Sequence, residues 1–158
     1  NSNYVIKRLK KQNIDLGIIF GTRKVSKNII DLFSDKLLNV HRGIVQRYRG
    51  LDSDLWAIYN SDFKNVGVTI HKVDENLDTG QIIKQRKLNL NSKVKIFQLR
   101  YKTTLLATNL MLEIIKKYQT KKKLIGKEFN PGKYYSFIST SKKKIAQSIL
   151  ENLSEKSK

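Results

Sequence analysis

The spacing of apolar and polar residues changes several times along this chain, and each change marks an element. In residues 3–13 (NYVIKRLKKQN), Val5, Ile6 and Leu9 recur at spacings of three and four, which predicts a helix with one apolar stripe ending near Asn13. Asp15 to Phe20 (DLGIIF) is a continuous apolar run closed by Gly21. Such a run reads as a strand buried on both faces, the habit of parallel sheets. Ser26 suits a helix N-cap, and a helix over roughly 27–35 would turn Ile29, Ile30 and Phe33 inward. Leu37 to Val40 is a second short strand. Residues 15–40 therefore form one β-α-β unit, the building block of doubly wound α/β folds.

Residues 41–52 (HRGIVQRYRGLD) have no period and read as a loop. Ser53 is placed to cap a short helix through Asn60. Val66 to Val73 alternates as a strand, Asp74 to Gly80 (DENLDTG) is turn-like, and Gln81 to Leu90 is a further strand. Lys93 to Tyr118 is the longest periodic stretch; Leu99, Leu106, Leu110 and Ile114 make it a long amphipathic helix, equally suited to a core or to a homodimer interface. A Lys-rich connection over 120–140 leads to a terminal helix, Lys142 to Leu153. The expected organisation is a core over 1–118 and a basic C-terminal extension over 119–158.

Composition narrows the chemistry. The 158 residues suit one domain and include no cysteine, which removes disulfide scaffolds, thiolate metal sites and cysteine nucleophiles. With two histidines and few clustered acids, no dedicated metal site is expected. No apolar run approaches the ~20 residues of a membrane span, and no leader pattern is evident, so a cytoplasmic location without membrane association is expected. The net charge is +19, and it is uneven: +4 over residues 1–83 and +15 over 84–158. That balance admits a polyanionic partner such as nucleic acid. However, 25 of the 32 basic residues are Lys, and no stacking platform of aromatics accompanies them, so nucleic acid is not the favoured partner.

Polar residues stand out where strands end. Asn39 and His41 flank Val40, and strand positions i and i+2 face the same side. Both leave the C-terminal edge of one strand together, the edge at which open α/β sheets bind ligands. Asp78 sits in the loop after another strand, and a shared edge would bring it near His41. Gly43, Gly50 and Gly80 allow close backbone approach to a ligand. Taken singly, each has a structural reading: an Asn near a His is often structural, and a loop Asp before Thr-Gly is often a turn residue.

The combination resembles one family. Leu38 to Gly50 (LNVHRGIVQRYRG) is similar to the signature of folate-dependent formyltransferases, in which Asn-x-His precedes a loop ending in aromatic-Arg-Gly. Trp56-Ala57-Ile58 resembles the family's next helix, and Gly67 to His71 (GVTIH) its Gly-(Val/Ile)-Thr strand. Leu77-Asp78-Thr79-Gly80 resembles its Asp-containing loop, and Ile82-Ile83 continues the match. The resemblance is clear over about 15–90. It implies a Rossmann-like formyltransferase domain with a mostly parallel sheet flanked by helices. It implies transfer of a formyl group from 10-formyltetrahydrofolate to a small-molecule primary amine, with Asn39, His41 and Asp78 catalytic. Asn39 would donate to the formyl oxygen, His41 would stabilise the same developing charge, and Asp78 would orient His41 and help move the proton.

The pterin would lie against Gly21, Thr22, Arg23 and Lys24, and against the loop holding Val73, Asp74 and Leu77. Arg49 and Gly50 are family-like as substrate contacts, with loop anchoring or a structural salt bridge as equal readings for Arg49. His71 would pack or hydrogen-bond near the site, and Thr69 would be structural.

Departures from the pattern refine this. Gly43-Ile44-Val45-Gln46 replaces the usual Ser-Leu-Leu-Pro. A Gly there resembles the branch acting on nucleotide-linked amino sugars, whose phosphates also suit a basic cleft. The methionyl-tRNA branch is the alternative, although 91–158 reads as mostly helical and not as that branch's C-terminal β-barrel. A noncatalytic nucleic-acid-binding protein and a degenerate, purely structural relative are rival readings. The family also has two earlier β-α units carrying a Gly-rich turn. Without them, an N-terminally truncated domain with an exposed sheet edge is expected.

Overall fold

The computed structural model describes residues 1–90 and 94–155, the side chains of 154 and 155 excepted. The elements in order are α1 (Asn3–Lys10), β1 (Gly17–Phe20), α2 (Lys27–Phe33), β2 (Leu37–His41), β3 (Tyr48–Gly50), α3 (Ser53–Tyr59), β4 (Gly67–Lys72), β5 (Ile82–Lys87), α4 (Ile96–Lys121), β6 (Lys133–Tyr135) and α5 (Thr140–Glu155). The expected start of the long helix at Lys93 lies outside the described residues.

The main sheet has the order β1-β2-β4-β5. β1 and β2 are parallel, as the β-α-β reading requires, but β2 pairs antiparallel with β4, and β4 antiparallel with β5. The α/β Rossmann-like fold is present; the expectation of a mostly parallel sheet is corrected to a mixed one. A continuous apolar run reports burial on both faces, not strand direction. β4 is buried along Gly67–His71 although both of its neighbours are antiparallel.

Strand parity divides core from site. Leu38 and Val40 of β2, with Val68 and Ile70 of β4, pack against Ala107, Leu110, Met111, Ile114 and Tyr118 of α4. Their alternates, Asn39 and His41 on β2 and Thr69 and His71 on β4, belong to the opposite face. The register sets Asn39 opposite His71 and His41 opposite Thr69. One layer of aliphatic contacts thereby holds four polar side chains in place behind it.

β1 is the sheet's edge strand in this structure. Ile18 and Phe20 are 44% and 43% exposed, which corrects the expectation of a strand buried on both faces. α1 lies against α2 with none of its residues fully buried.

The segment expected as an open loop contains β3, which pairs in parallel with β6, far later in the chain. Three-residue strands carry no readable period, so neither was expected. Tyr135 of β6 stacks near Tyr48 at 5.3 Å and near Trp56 of α3 at 5.0 Å between ring centroids. Ala146 and Leu150 of α5 complete a second core with Tyr48, Ala57, Ile58, Val66 and Leu99. Tyr135 of β6 and Ala146 and Leu150 of α5 thus pack into the body of the protein. Leu150 is 2% exposed. Replacing it with Ala is expected to cost about 2–5 kcal/mol, read as a lowered urea midpoint; a change under about 0.5 kcal/mol would show α5 to be dispensable.

Candidate active site

At the C-terminal end of β2 a cleft of about 620 Å³ opens between β1, β2, the loop before β5 and the start of α3. Asn39, His41 and Asp78 all line it. Asp78 comes from the loop after β4 and has φ of +55°, a left-handed conformation that Asp tolerates better than most residues. It is buried, at 8% exposure, and its carboxylate is the hub of the site. Oδ1 accepts from Asn39 Nδ2 at 3.1 Å, and Oδ2 accepts from the Gly50 backbone N–H at 2.8 Å. His41 Nδ1 lies 3.3 Å from Oδ2, and His71 Nε2 lies 3.3 Å from Oδ1.

The two histidines are set by backbone carbonyls. His41 Nε2 donates to Tyr48 O at 2.9 Å, and His71 Nδ1 donates to Lys72 O at 2.7 Å. His71 Nε2 stands between the Asn39 amide nitrogen, at 3.2 Å, and Asp78 Oδ1. His41 keeps Nδ1 as a lone pair facing Asp78. A proton arriving at Nδ1 would be met at once by a carboxylate.

Burial, the largest influence, holds the His41 pKa below 6.5, against the upward pull of Asp78 and the Tyr48 carbonyl. Burial also acts to raise Asp78. The His71 hydrogen bond, the His41 charge and the Gly50 N–H outweigh it and hold Asp78 at about 2. Both partners of the His41–Asp78 pair are therefore moved down, although pairing alone would raise the histidine. The consistent resting state is an ionised Asp78 beside a neutral His41.

Gly43 explains its own identity. A Cβ there would lie 2.5 Å from His41 Nε2 and 2.6 Å from Ser53 Cβ, so a side chain would displace the imidazole from its carbonyl. Gly50 has φ of +90°, and a Cβ on it would collide with the Tyr135 carbonyl of β6.

Gly21, Thr22, Arg23 and Lys24 line one wall, and Val73, Asp74 and Leu77 stand beside them. The N–H groups of Thr22, Arg23 and Lys24 make no hydrogen bond among the described residues. They are available to a heterocycle rich in acceptors. Asp74 is turned to its own loop, accepting from Thr79 Oγ1 at 2.7 Å and from the Asn76 N–H at 3.1 Å.

Arg49 does not line the cleft. It donates to Gly132 O at 2.7 Å and to Leu77 O at 3.0 Å, anchoring the β6 approach and the Asp78 loop together. Of the readings open for Arg49, these contacts are those of loop anchoring. Gly50 does line the cleft, and its N–H is committed to Asp78.

The other wall was not read from sequence. It holds Arg42, Asp52, Asp54, Arg100, Tyr134 and Phe137. Arg42 directly succeeds His41, so its place was legible. Arg100 comes from α4 and Tyr134 from β6, and only the fold brings them here.

A model of the formyl transferase family, described as "Formyl transferase", matches residues 1–115. The chain belongs to this family. Among curated relatives, the methionyl-tRNA formyltransferase of Finegoldia magna is 32% identical over 120 residues, covering 75% of this chain and 38% of that protein. That of Thermodesulfovibrio yellowstonii is 32% identical over 113 residues, covering 71% and 36%. The chain thus spans less than two-fifths of the length of these relatives.

Among solved structures, the fold is similar to that of the formyltransferase PseJ from Anoxybacillus kamchatkensis, in complex with UDP-4,6-dideoxy-4-formamido-L-AltNAc and tetrahydrofolate. The TM-score is 0.73 at 23% identity, over 90% of this chain and 79% of that one. Phosphoribosylglycinamide formyltransferase from Bacillus halodurans gives a TM-score of 0.67 at 28% identity, over 76% and 62%.

Two outcomes are expected of this formyl transferase family member. A depressed carboxylate stabilises the fold above its unfolded pKa and loses that contribution as pH falls through the folded value. For Asp78 the window runs from 3.8 down to about 2 and holds about 2 kcal/mol. Neutral, buried His41 adds a loss in the same direction that begins below 6.5. Urea unfolding at stepped pH is expected to show stability falling on acidification, and Asp78→Asn is expected to flatten the lowest part of that curve. Gly50→Ala is expected to destabilise by roughly 1–3 kcal/mol and to shift the His41 ring resonances in NMR spectra, because it moves the N–H that holds Asp78.

Proposed function

We propose that this chain carries the centre of an N-formyltransferase that takes a formyl group from 10-formyltetrahydrofolate and gives it to a primary amine. The observation that carries the reading is the hydrogen-bonded set of Asn39, His41 and Asp78 on one cleft, in a member of this family. The donor supplies a carbonyl carbon already activated on nitrogen. The open N–H groups of Thr22 to Lys24 fit its pterin end.

Asn39 is half-buried and stands nearest the open cleft of the three. Its amide hydrogens point to Asp78 and His71, so it has to release one to meet the oxygen on which charge develops as the amine attacks. His41 takes the proton that the attacking nitrogen gives up. Asp78 stabilises the resulting imidazolium, and the proton then leaves with the departing folate nitrogen.

For the acceptor, we read a nucleotide-linked amino sugar. Gly43 supports it, as does the wall beyond His41. Arg42 and Arg100 are placed for phosphate, and exposed Tyr134 and Phe137 for a base. A methionyl-tRNA acceptor is the second reading, favoured by the names of the curated relatives and by the +15 balance of residues 84–158.

The full chain is expected to bind tetrahydrofolate in calorimetry. In the enzyme, His41→Ala and Asp78→Ala are expected to lower formyl transfer by about 10²–10⁴-fold. Absence of folate binding would sink the enzyme reading. A tRNA affinity that falls steeply with salt and discriminates initiator tRNA would move the acceptor to the second reading.

A further inference from the structure

Four carboxylates line the cleft among the described residues. Asp52 is held by Arg100 at 3.1 Å and by the Ile138 N–H at 3.3 Å. Asp74 is taken up by Thr79 and Asn76, and Asp78 by Asn39, Gly50 and the two histidines. Asp54 differs. It is 2% exposed, and its only hydrogen bond among the described residues is to the adjacent Leu55 N–H, at 2.9 Å on Oδ1. Among those residues Oδ2 accepts nothing, and no cation stands within ion-pair distance. Oδ2 is not sealed off: among the described residues the buried side-chain polar atom without a partner is Ser26 Oγ, and Asp54 lines the cleft. A nearly buried carboxylate whose second oxygen meets no protein group is costly, and such positions are kept where something in the cleft meets them.

Its surroundings define what that partner is. Burial raises the Asp54 pKa most strongly, while Arg42 and Arg100 pull it down without touching it. The Asp54 charge is felt at His41 in turn. A carboxylate oxygen facing the cleft, beside the proton-accepting imidazole, calls for a cation that itself has N–H groups to give. Being in the first turn of α3 accounts for the Leu55 contact alone.

We propose that Asp54 receives the amine of the acceptor: Oδ2 accepts an N–H of the substrate ammonium and takes its proton, beside His41. This rests on the formyl-transfer reading. In the step, an N–H bond breaks and an O–H bond forms on Asp54. The freed nitrogen pair becomes the bond to the formyl carbon, and the Asp54 proton is lost to solvent after product leaves. The substrate class is a primary alkylamine that is protonated in water.

The test uses a matched pair: UDP-4-amino-4,6-dideoxy-L-AltNAc and its N-formyl product, with tetrahydrofolate bound in a parallel titration. Wild-type protein is expected to bind the amine more tightly than the neutral formamide. Asp54→Asn is expected to weaken amine binding at least tenfold and to leave formamide and folate binding within twofold. Asp54→Ser, which is smaller and also uncharged, is expected to do the same, and retained folate binding reports that each variant is folded. The proposal is overturned if Asp54→Asn keeps amine affinity within twofold. It is overturned equally if amine and formamide are lost in parallel, or if folate-binding wild-type protein binds neither sugar or shows no preference for the amine. Failure of all three proteins to bind folate would overturn the formyl-transfer reading instead.

Discussion

A single carboxylate, Asp78, ties together parts of the chain that have no other reason to meet. It accepts from Asn39 on β2 and from Gly50 at the end of β3, and it touches His41 and, on β4, His71. Each of these groups offers a hydrogen or a potential positive charge to a buried anion. Their sum outweighs the cost of burial, as the pKa of about 2 records. Without that anion, His41 would lose the group that meets a proton on Nδ1, and Asn39 would lose the acceptor that fixes its amide. The loop carrying Asp78 is in turn pinned by Arg49, which reaches Leu77 O and Gly132 O at once. Gly132, on the approach to β6, therefore helps hold the site's loop through Arg49.

The sheet supplies rigidity by using its two faces differently. Leu38, Val40, Val68 and Ile70 are packed on α4, and they fix the strands that carry Asn39, His41, Thr69 and His71. Polar groups on the second face are satisfied almost completely, with Thr69 Oγ1 donating to Gly43 O at 2.6 Å and accepting from Gln85 at 2.7 Å. The proton transfer proposed here would gain from such satisfaction, because each side chain has one low-energy orientation. Asp54 departs from it, and that departure is what gives the residue its interest.

Much of this was legible in the residues themselves. The i, i+2 spacing put Asn39 and His41 on one face, and the apolar alternates Leu38 and Val40 put the other face in the core. The runs at 15–20 and 37–40, the helices and the loop at 74–80 came from local period and turn chemistry, and the strands β1 and β2 fall on those runs. The family resemblance added Asp78 to the pair, and the structure brings it within contact. The direction of β4 was not legible, since buried strands look alike in either direction. Nor were β3 and β6, because each is too short for a period and each depends on a partner distant in sequence.

What the sequence alone determined is the local side of this protein: which residues are apolar, which face each presents, and which polar groups stand at strand ends. Those properties depend on nearest neighbours and on the repeat of one element. Only the tertiary structure decided which distant groups share a buried space. It set Arg49 as an anchor for two loops, drew Arg100 and Tyr134 to the cleft wall, and left one oxygen of Asp54 unmet there. Burial and pairing are properties of a completed fold, and a charge has no defined cost until its surroundings are in place.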